Sequence, residues 1–202
     1  MIARSLTMAT LVAVLASCAE PPQRSSTPPE SDLEEAESVQ VNDAVDPEPG
    51  PRLLTPFGWG ALRIGMSRAE VVAAAGEDSA PDAVGGPDPE RCDEFRPRNA
   101  PEGVLVMIQE GVLTRVSVSR NSDISTPTGF RVGDSGSAIL AEYGARAHVE
   151  PHQYWAPPGK YITVWRQSEP ELRGIRYEID SDDRVVHLRG GDRSIENVEG
   201  CV

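Results

Sequence analysis

Hydrophobic and polar positions fall into a repeated plan along this chain. Apolar residues at near-alternate positions (Phe57, Trp59, Leu62, Ile64) predict an extended lead-in. Ser67 then stands before a helical pattern, with Glu70 three residues on to complete a capping box, and Gly76 closes the helix. Residues 77–89 are crowded with Gly, Pro and Asp and read as a loop. A short strand is expected over 92–95, followed by clear strands over 104–108 and 112–118 around Gln109-Glu110-Gly111. The plan then starts again. Phe130 and Val132 lead in, Ser135 caps, Ile139 and Leu140 face the core, and Gly144 ends the second helix. Strands are expected over 152–155, 161–165, 174–179 and 184–189, the last pair joined by Asp180-Ser181-Asp182-Asp183.

The two helix stretches run from glycine to glycine with equal spacing, Gly65 to Gly76 and Gly133 to Gly144, each with a serine two places in. Val71, Val72 and Ala75 answer to Ile139, Leu140 and Tyr143. An internal repeat of this kind marks a duplicated supersecondary unit. The expected fold class is therefore α+β. Two tandem helix-plus-antiparallel-sheet units, about 56–120 and 124–202, would form a two-layer sandwich within residues 53–202.

Upstream, the pattern changes. Arg4 precedes an apolar run over 6–15 that is too short to span a bilayer as a helix, and the run ends in Leu15-Ala16-Ser17-Cys18. This resembles the lipobox of bacterial lipoproteins, which implies a signal peptide over 1–17 and acylation of Cys18. The resemblance, with Ala19 rather than Asp after the cysteine, implies lipid anchoring in the outer membrane, facing the periplasm. Residues 18–52 are rich in Pro, Ser and Glu and cannot bury enough apolar surface to offset their ordering entropy. The stretch reads as a disordered tether of roughly 30 Å end-to-end distance. It carries about half of the formal charge of −13. The acidic balance argues against nucleic acid as a partner.

The helix starts Gly-Met-Ser-Arg-Ala-Glu-Val-Val and Gly-Asp-Ser-Gly-Ser-Ala-Ile-Leu resemble those of small outer-membrane lipoproteins of the SmpA/OmlA (BamE) type. Their doubling is similar to the tandem repeat of the β-lactamase-inhibitor-protein fold. The resemblance covers about residues 56–202. It implies either an assembly role in the envelope or inhibition of a secreted enzyme.

Candidate chemistry is sparse. With Cys18 lipidated, Cys92 and Cys201 remain and read as a disulfide in an oxidising compartment. Gly133-Asp134-Ser135-Gly136-Ser137 is similar to the nucleophile segment of trypsin-like proteases. All three histidines (His148, His152, His187) follow it, however, and Ser135 is the repeat mate of the capping residue Ser67. Asp180, Asp182 and Asp183 lack the Gly and the distal Glu of a calcium loop. No metal ligand set, cofactor or catalytic spacing is expected, so the chain reads as a non-enzyme. His152, Tyr154, Trp155, Tyr161 and Trp165 are the candidate ligand contacts, because aromatic faces serve as platforms for protein side chains or sugars. Trp59 carries the same ambiguity. The expected function is a lipid-anchored protein-binding or assembly module with an envelope protein as partner; a carbohydrate-binding (lectin-like) lipoprotein with a glycan partner is the rival.

Overall fold

In the computed structural model, which describes residues 53–83, 85–119, 122–167 and 171–202, both serine-started patterns are helices. The chain divides into Met1–Asp43 and Ala44–Val202, and every described residue belongs to the second unit. The signal peptide, Cys18 and the acidic tether lie outside the described residues.

Helix α1 spans Arg68–Ala75, and α2 spans Gly136–Tyr143. Ser67 forms the expected capping box: its Oγ accepts from the Glu70 N–H, while its own N–H donates to Glu70 Oε2 at 2.8 Å. The second helix lacks a glutamate at that position and recruits Asp183 instead. Ser137 N–H donates to Asp183 Oδ2 at 3.0 Å, and the Ser135 and Ser137 hydroxyls do so at 2.9 and 2.8 Å. Lys160 Nζ lies 2.8 Å from the other carboxylate oxygen. Burial alone would raise the Asp183 pKa, but these donors hold the carboxyl well below its ordinary range. Ser135 is still the expected N-cap, its Oγ accepting from the Ala138 N–H at 3.4 Å, and Asp183 takes only the part that Glu70 plays in α1.

The lead-in is not one extended segment. Gly58 at φ 135° and Gly60 at φ 57° fold it back on itself into three two-residue strands. These are β1 (Leu54–Thr55), β2 (Gly58–Trp59) and β3 (Leu62–Arg63), a small antiparallel sheet in the order β1-β2-β3. The main sheet is also antiparallel. Its strands are β4 (Cys92–Phe95), β5 (Val104–Gln109), β6 (Val112–Ser119), β7 (His148–Pro151), β8 (Lys160–Gln167), β9 (Arg173–Ile179) and β10 (Val185–Gly191). Their order is β4-β5-β6-β10-β9-β8-β7. The β5–β6 turn places Glu110 at φ 49° and Gly111 at φ 81°, the paired positive angles that let a tight hairpin follow strand twist. One expected strand is displaced. Residues 152–155 form a bend, and the strand lies just before them at β7, for a reason given below.

Alternate positions along the main sheet send Phe95, Val106, Val116, Val118, Ile162, Ile175, Tyr177 and Leu188 to one core. Val71 and Ala75 of α1 and Ile139 and Tyr143 of α2 join that core. So does Leu54: a Cβ at Gly190 would stand 2.3 Å from the Thr55 carbonyl oxygen, and only glycine lets β1 sit that close to β10. The architecture is thus mixed helix and antiparallel sheet, dominated by strands.

Both sheet edges are guarded. At β4, a side chain on Gly86 would strike the Cys92 carbonyl, so that edge is covered. At β7, His152 N–H bonds inward to Gly159 O, and the alternation turns Val149 and Pro151 outward; proline has no N–H to offer.

The expected bridge between Cys92 and Cys201 is formed, with Cα atoms 5.5 Å apart across a sequence separation of 109. Replacing both cysteines by serine removes a loop constraint worth about 4–5 kcal/mol in the chain-entropy view, and small secreted domains lose about 2–5 kcal/mol. The expected outcome is a urea midpoint lowered accordingly, with added reductant producing the same shift in the parent protein and none in the double variant.

Candidate binding site

The face of the main sheet opposite the helices carries charges rather than apolar side chains. Strand register sets Glu150, Tyr161, Glu178 and His187 side by side in one row. The next row holds Thr163, Arg176, Arg189 and Ser117, and a third holds Trp165, Gly174, Gly191, Arg115, Met107 and Glu94. Many of these side chains are buried: Arg115 and Arg176 are each 3% exposed, and Glu178 and Glu94 each 9%.

Burial of this kind requires partners. Glu178 Oε2 accepts from Arg189 Nη2 at 2.8 Å, and Oε1 accepts from His152 Nε2 at 3.2 Å. His187 Nδ1 lies 3.3 Å from Oε2. Burial alone would raise the Glu178 pKa; the His187 contact, the Arg189 charge and the His152 N–H outweigh it and hold the carboxyl at about 2. Arg176 Nη1 donates to Glu150 Oε2 at 2.7 Å and to Thr163 Oγ1 at 2.8 Å. Arg115 pairs with Glu94 and also donates from Nη1 to the backbone carbonyls of Ser194 and Asn197. Burial and the neighbouring Arg189 lower its pKa to about 10, which leaves it charged at neutral pH.

His152 explains the displaced strand. Its Nδ1 accepts from the backbone N–H groups of both Tyr154 and Trp155, at 3.0 and 3.1 Å, so the chain bends around the imidazole instead of extending. With Nδ1 accepting twice, the proton resides on Nε2 and points at Glu178. The ring stacks on Trp155 at 4.2 Å and on Tyr161 at 4.5 Å. The Arg176 guanidinium lies 4.2 Å from the centre of the Tyr161 ring. Two groups this near cannot share one face of the phenol, so Trp155, His152, Tyr161 and Arg176 form a single stacked column.

The five aromatic and imidazole candidates therefore divide. His152 is 8% exposed and Tyr161 is 2% exposed; both support the bend from within. Trp155 is half-buried, and Tyr154 stands out at 62% exposure. Trp165 lies on the same strand and face as Tyr161, four residues along β8, roughly 13 Å away. Its ring rests on Gly174, where a Cβ would approach it to 2.5 Å. Trp59 is half-buried and packs against the main core. Ser135, the protease-like serine, bonds to Asp183 and Ser137. Among the described residues, no group of three His, Cys, Asp or Glu is arranged to hold a metal ion. The sequence reading overlooked Glu94, Arg115, Arg176, Glu178 and Arg189. Alternation in β9 and β10 shows them only as a polar face, which is ordinarily solvated.

The chain matches no protein-family model and no curated protein sequence. Among solved structures it is similar to an extracellular protein containing an SCP domain from Bacillus anthracis, at 12% identity and TM-score 0.42, over 64% of this chain and 44% of that one. A DUF4309 family protein from Bacillus subtilis is similar at 13% identity and TM-score 0.41, over 71% of this chain and 88% of that one. A cysteine-rich secretory protein from Staphylococcus aureus gives 9% identity and TM-score 0.37, over 64% and 44%. The chain thus covers less than half the length of the Bacillus anthracis protein. At these scores no argument about function passes from any of them to this chain.

The Glu178 carboxyl has an ordinary value of 4.5 and a folded value of about 2. A depressed carboxyl contributes stability above its unfolded pKa and loses it as pH falls through the folded one. The shift corresponds to about 3 kcal/mol. Urea midpoints of the parent should fall steeply between pH 4.5 and 2. Glu178→Gln should be less stable at neutral pH and show a flatter acid limb.

Proposed function

We propose that the chain is a lipid-anchored cell-envelope protein whose folded unit is a non-catalytic protein-binding or assembly module. The observation that carries this reading is Tyr154, 62% exposed on a bend whose backbone is fixed by His152. A rigid aromatic side chain on a fixed loop binds with little loss of conformational entropy, which is how interface anchors work. Trp155, stacked on His152, supplies the adjacent flank.

Anchoring through Cys18 to the outer membrane, facing the periplasm, rests on Leu15-Ala16-Ser17-Cys18. No described helix is long and apolar enough to cross a membrane. The two-layer, tandem reading also belongs to this proposal. It is supported by α1 preceding β4–β6 and α2 preceding β7–β10, with the halves joined where β6 pairs with β10. On that reading the likeness to SmpA/OmlA-type lipoproteins remains the reason to favour an assembly role. Tyr154 beside Trp155 also suits stacking on a sugar ring, so glycan binding is the second reading.

Capture from detergent-solubilised envelope separates the two. The expected result is one discrete protein retained by the lipidated full chain and lost with Tyr154→Ala or Trp155→Ala. Retention of polysaccharide or peptidoglycan without a stoichiometric protein would replace the first reading by the second.

A further inference from the structure

The His152 ring holds backbone on one side and a buried carboxylate on the other. Its Nδ1 lone pair accepts from the Tyr154 and Trp155 N–H groups at 3.0 and 3.1 Å. Its Nε2 carries the proton and meets Glu178 Oε1 at 3.2 Å. This arrangement fits a neutral ring alone, because an Nδ1 with its own proton has no lone pair left to accept with.

Imidazole is the side chain whose charge changes between about pH 5 and 8. A proton arriving at Nδ1 leaves three N–H groups pointing at one another, and the backbone has to give way. The ring does not. Its Nε2–H still meets Glu178, now as an ion pair, and Tyr161 stacks on it at 4.5 Å from the sheet side.

The charged groups around the ring keep their places over this range. Glu150 of β7 pairs with Arg176 of β9, whose guanidinium lies against the Tyr161 ring. Tyr161 of β8 stays neutral, its hydroxyl pushed up by burial. Glu178 of β9 stays ionised, with its carboxyl at about 2. From β10, Arg189 and His187 both meet Glu178 Oε2, which leaves Oε1 to His152. His187 is a second imidazole, but its contact is with the carboxylate and not with the bend.

The ends of the bend are attached without the imidazole. His152 N–H donates to the Gly159 carbonyl at 3.1 Å, and Gly159 N–H donates to the Ala156 carbonyl at 3.0 Å. Loss of the two Nδ1 bonds thus frees residues 153–155 between fixed points. The segment lies at the surface, with Tyr154 62% exposed, so water can take the two N–H groups.

We propose that His152 is a proton-operated latch: at neutral pH it fixes the 153–155 bend, and in mild acid a proton on Nδ1 releases the bend while the ring stays paired with Glu178. Its consequence for binding, that acid loosens the Tyr154 anchor, rests on the reading of Tyr154 given above. The latch itself does not.

NMR of the lipidated full chain in detergent, labelled with 15N in His, Tyr and Trp, tests this without any partner, so a failed latch and a failed capture are separate results. The expected result is a neutral His152 ring with its proton on Nε2 at about pH 7.5, gaining a proton on Nδ1 by about pH 5. Over the same range the exchange protection of the Tyr154 and Trp155 amides, corrected for intrinsic rates, should fall at least about tenfold, since one linked proton changes the ratio by up to about tenfold per pH unit. Protection of the Tyr177 amide in β9 should not change. His152→Asn offers Oδ1 as an acceptor for N–H groups just ahead in the chain and takes no proton, so it should keep the bend closed in acid. His152→Ala should leave it open at both pH values, and His187→Asn should respond as the parent does. A ring still neutral at about pH 5 overturns the proposal, as does a protonated ring with protection unchanged. So does a fall in Tyr177 protection alongside the bend, an acid response retained in His152→Asn, a closed bend in His152→Ala, or a response abolished in His187→Asn. Should His152→Asn fail to fold, the parent decides alone: midpoints of ring protonation and amide protection more than about one pH unit apart overturn the latch.

Discussion

The polar side of the main sheet depends on Glu178. Its two oxygens meet Arg189 and His187 of β10 and His152 of the 152–155 bend. Breaking a buried pair by removing one partner costs about 3–5 kcal/mol, because the remaining charge is stranded away from water. Here that charge would be Arg189, and the freed N–H would be that of His152. The bend that carries Tyr154 and Trp155 hangs on the same imidazole. One carboxylate therefore joins the stability of the sheet to the shape of its most exposed aromatic loop.

A sheet with one apolar face and one buried charged face has to solve two different packing problems. The apolar face closes by area, with α1, α2 and the small β1–β3 sheet contributing side chains to a common core. The charged face closes by pairing, and the Arg115 and Arg189 guanidiniums each hold a backbone carbonyl as well as a carboxylate. Arg115 holds the turn at Ser194–Asn197, and the Cys92–Cys201 bridge ties down the chain just beyond it. The C-terminal segment is thus held by charge at one end and by a covalent bond at the other. The bend that carries Tyr154 and Trp155 is built on backbone that His152, itself held by buried Glu178, fixes in place.

Much of the frame was legible in the residues. Ser67 with Glu70, Gly76, and the β5–β6 turn at Glu110-Gly111 are local signals, and local geometry fulfils them. The pairing of Cys92 with Cys201 followed from having two thiols left over. The bend at 152–155 was not legible. Its aromatic and branched neighbours read as a strand, and only the imidazole accepting two N–H groups turns the chain. The division of His152, Tyr154, Trp155, Tyr161 and Trp165 was equally hidden, because exposure depends on what lies across the sheet.

By itself the sequence determined the helix starts and stops, the hairpin turns, the mixed helix-and-antiparallel-sheet class, and the repeat of the pattern. These depend on residues within a few positions of one another, where capping, glycine angles and alternation act. Tertiary structure alone decided that Arg176, Glu178 and Arg189 are buried rather than solvated, and that Asp183 caps a helix 46 residues upstream. It also decided that Tyr154 faces water while Tyr161 does not. A side chain's polarity is written in its own residue; whether that polarity meets water or a partner depends on strands brought together from elsewhere in the chain.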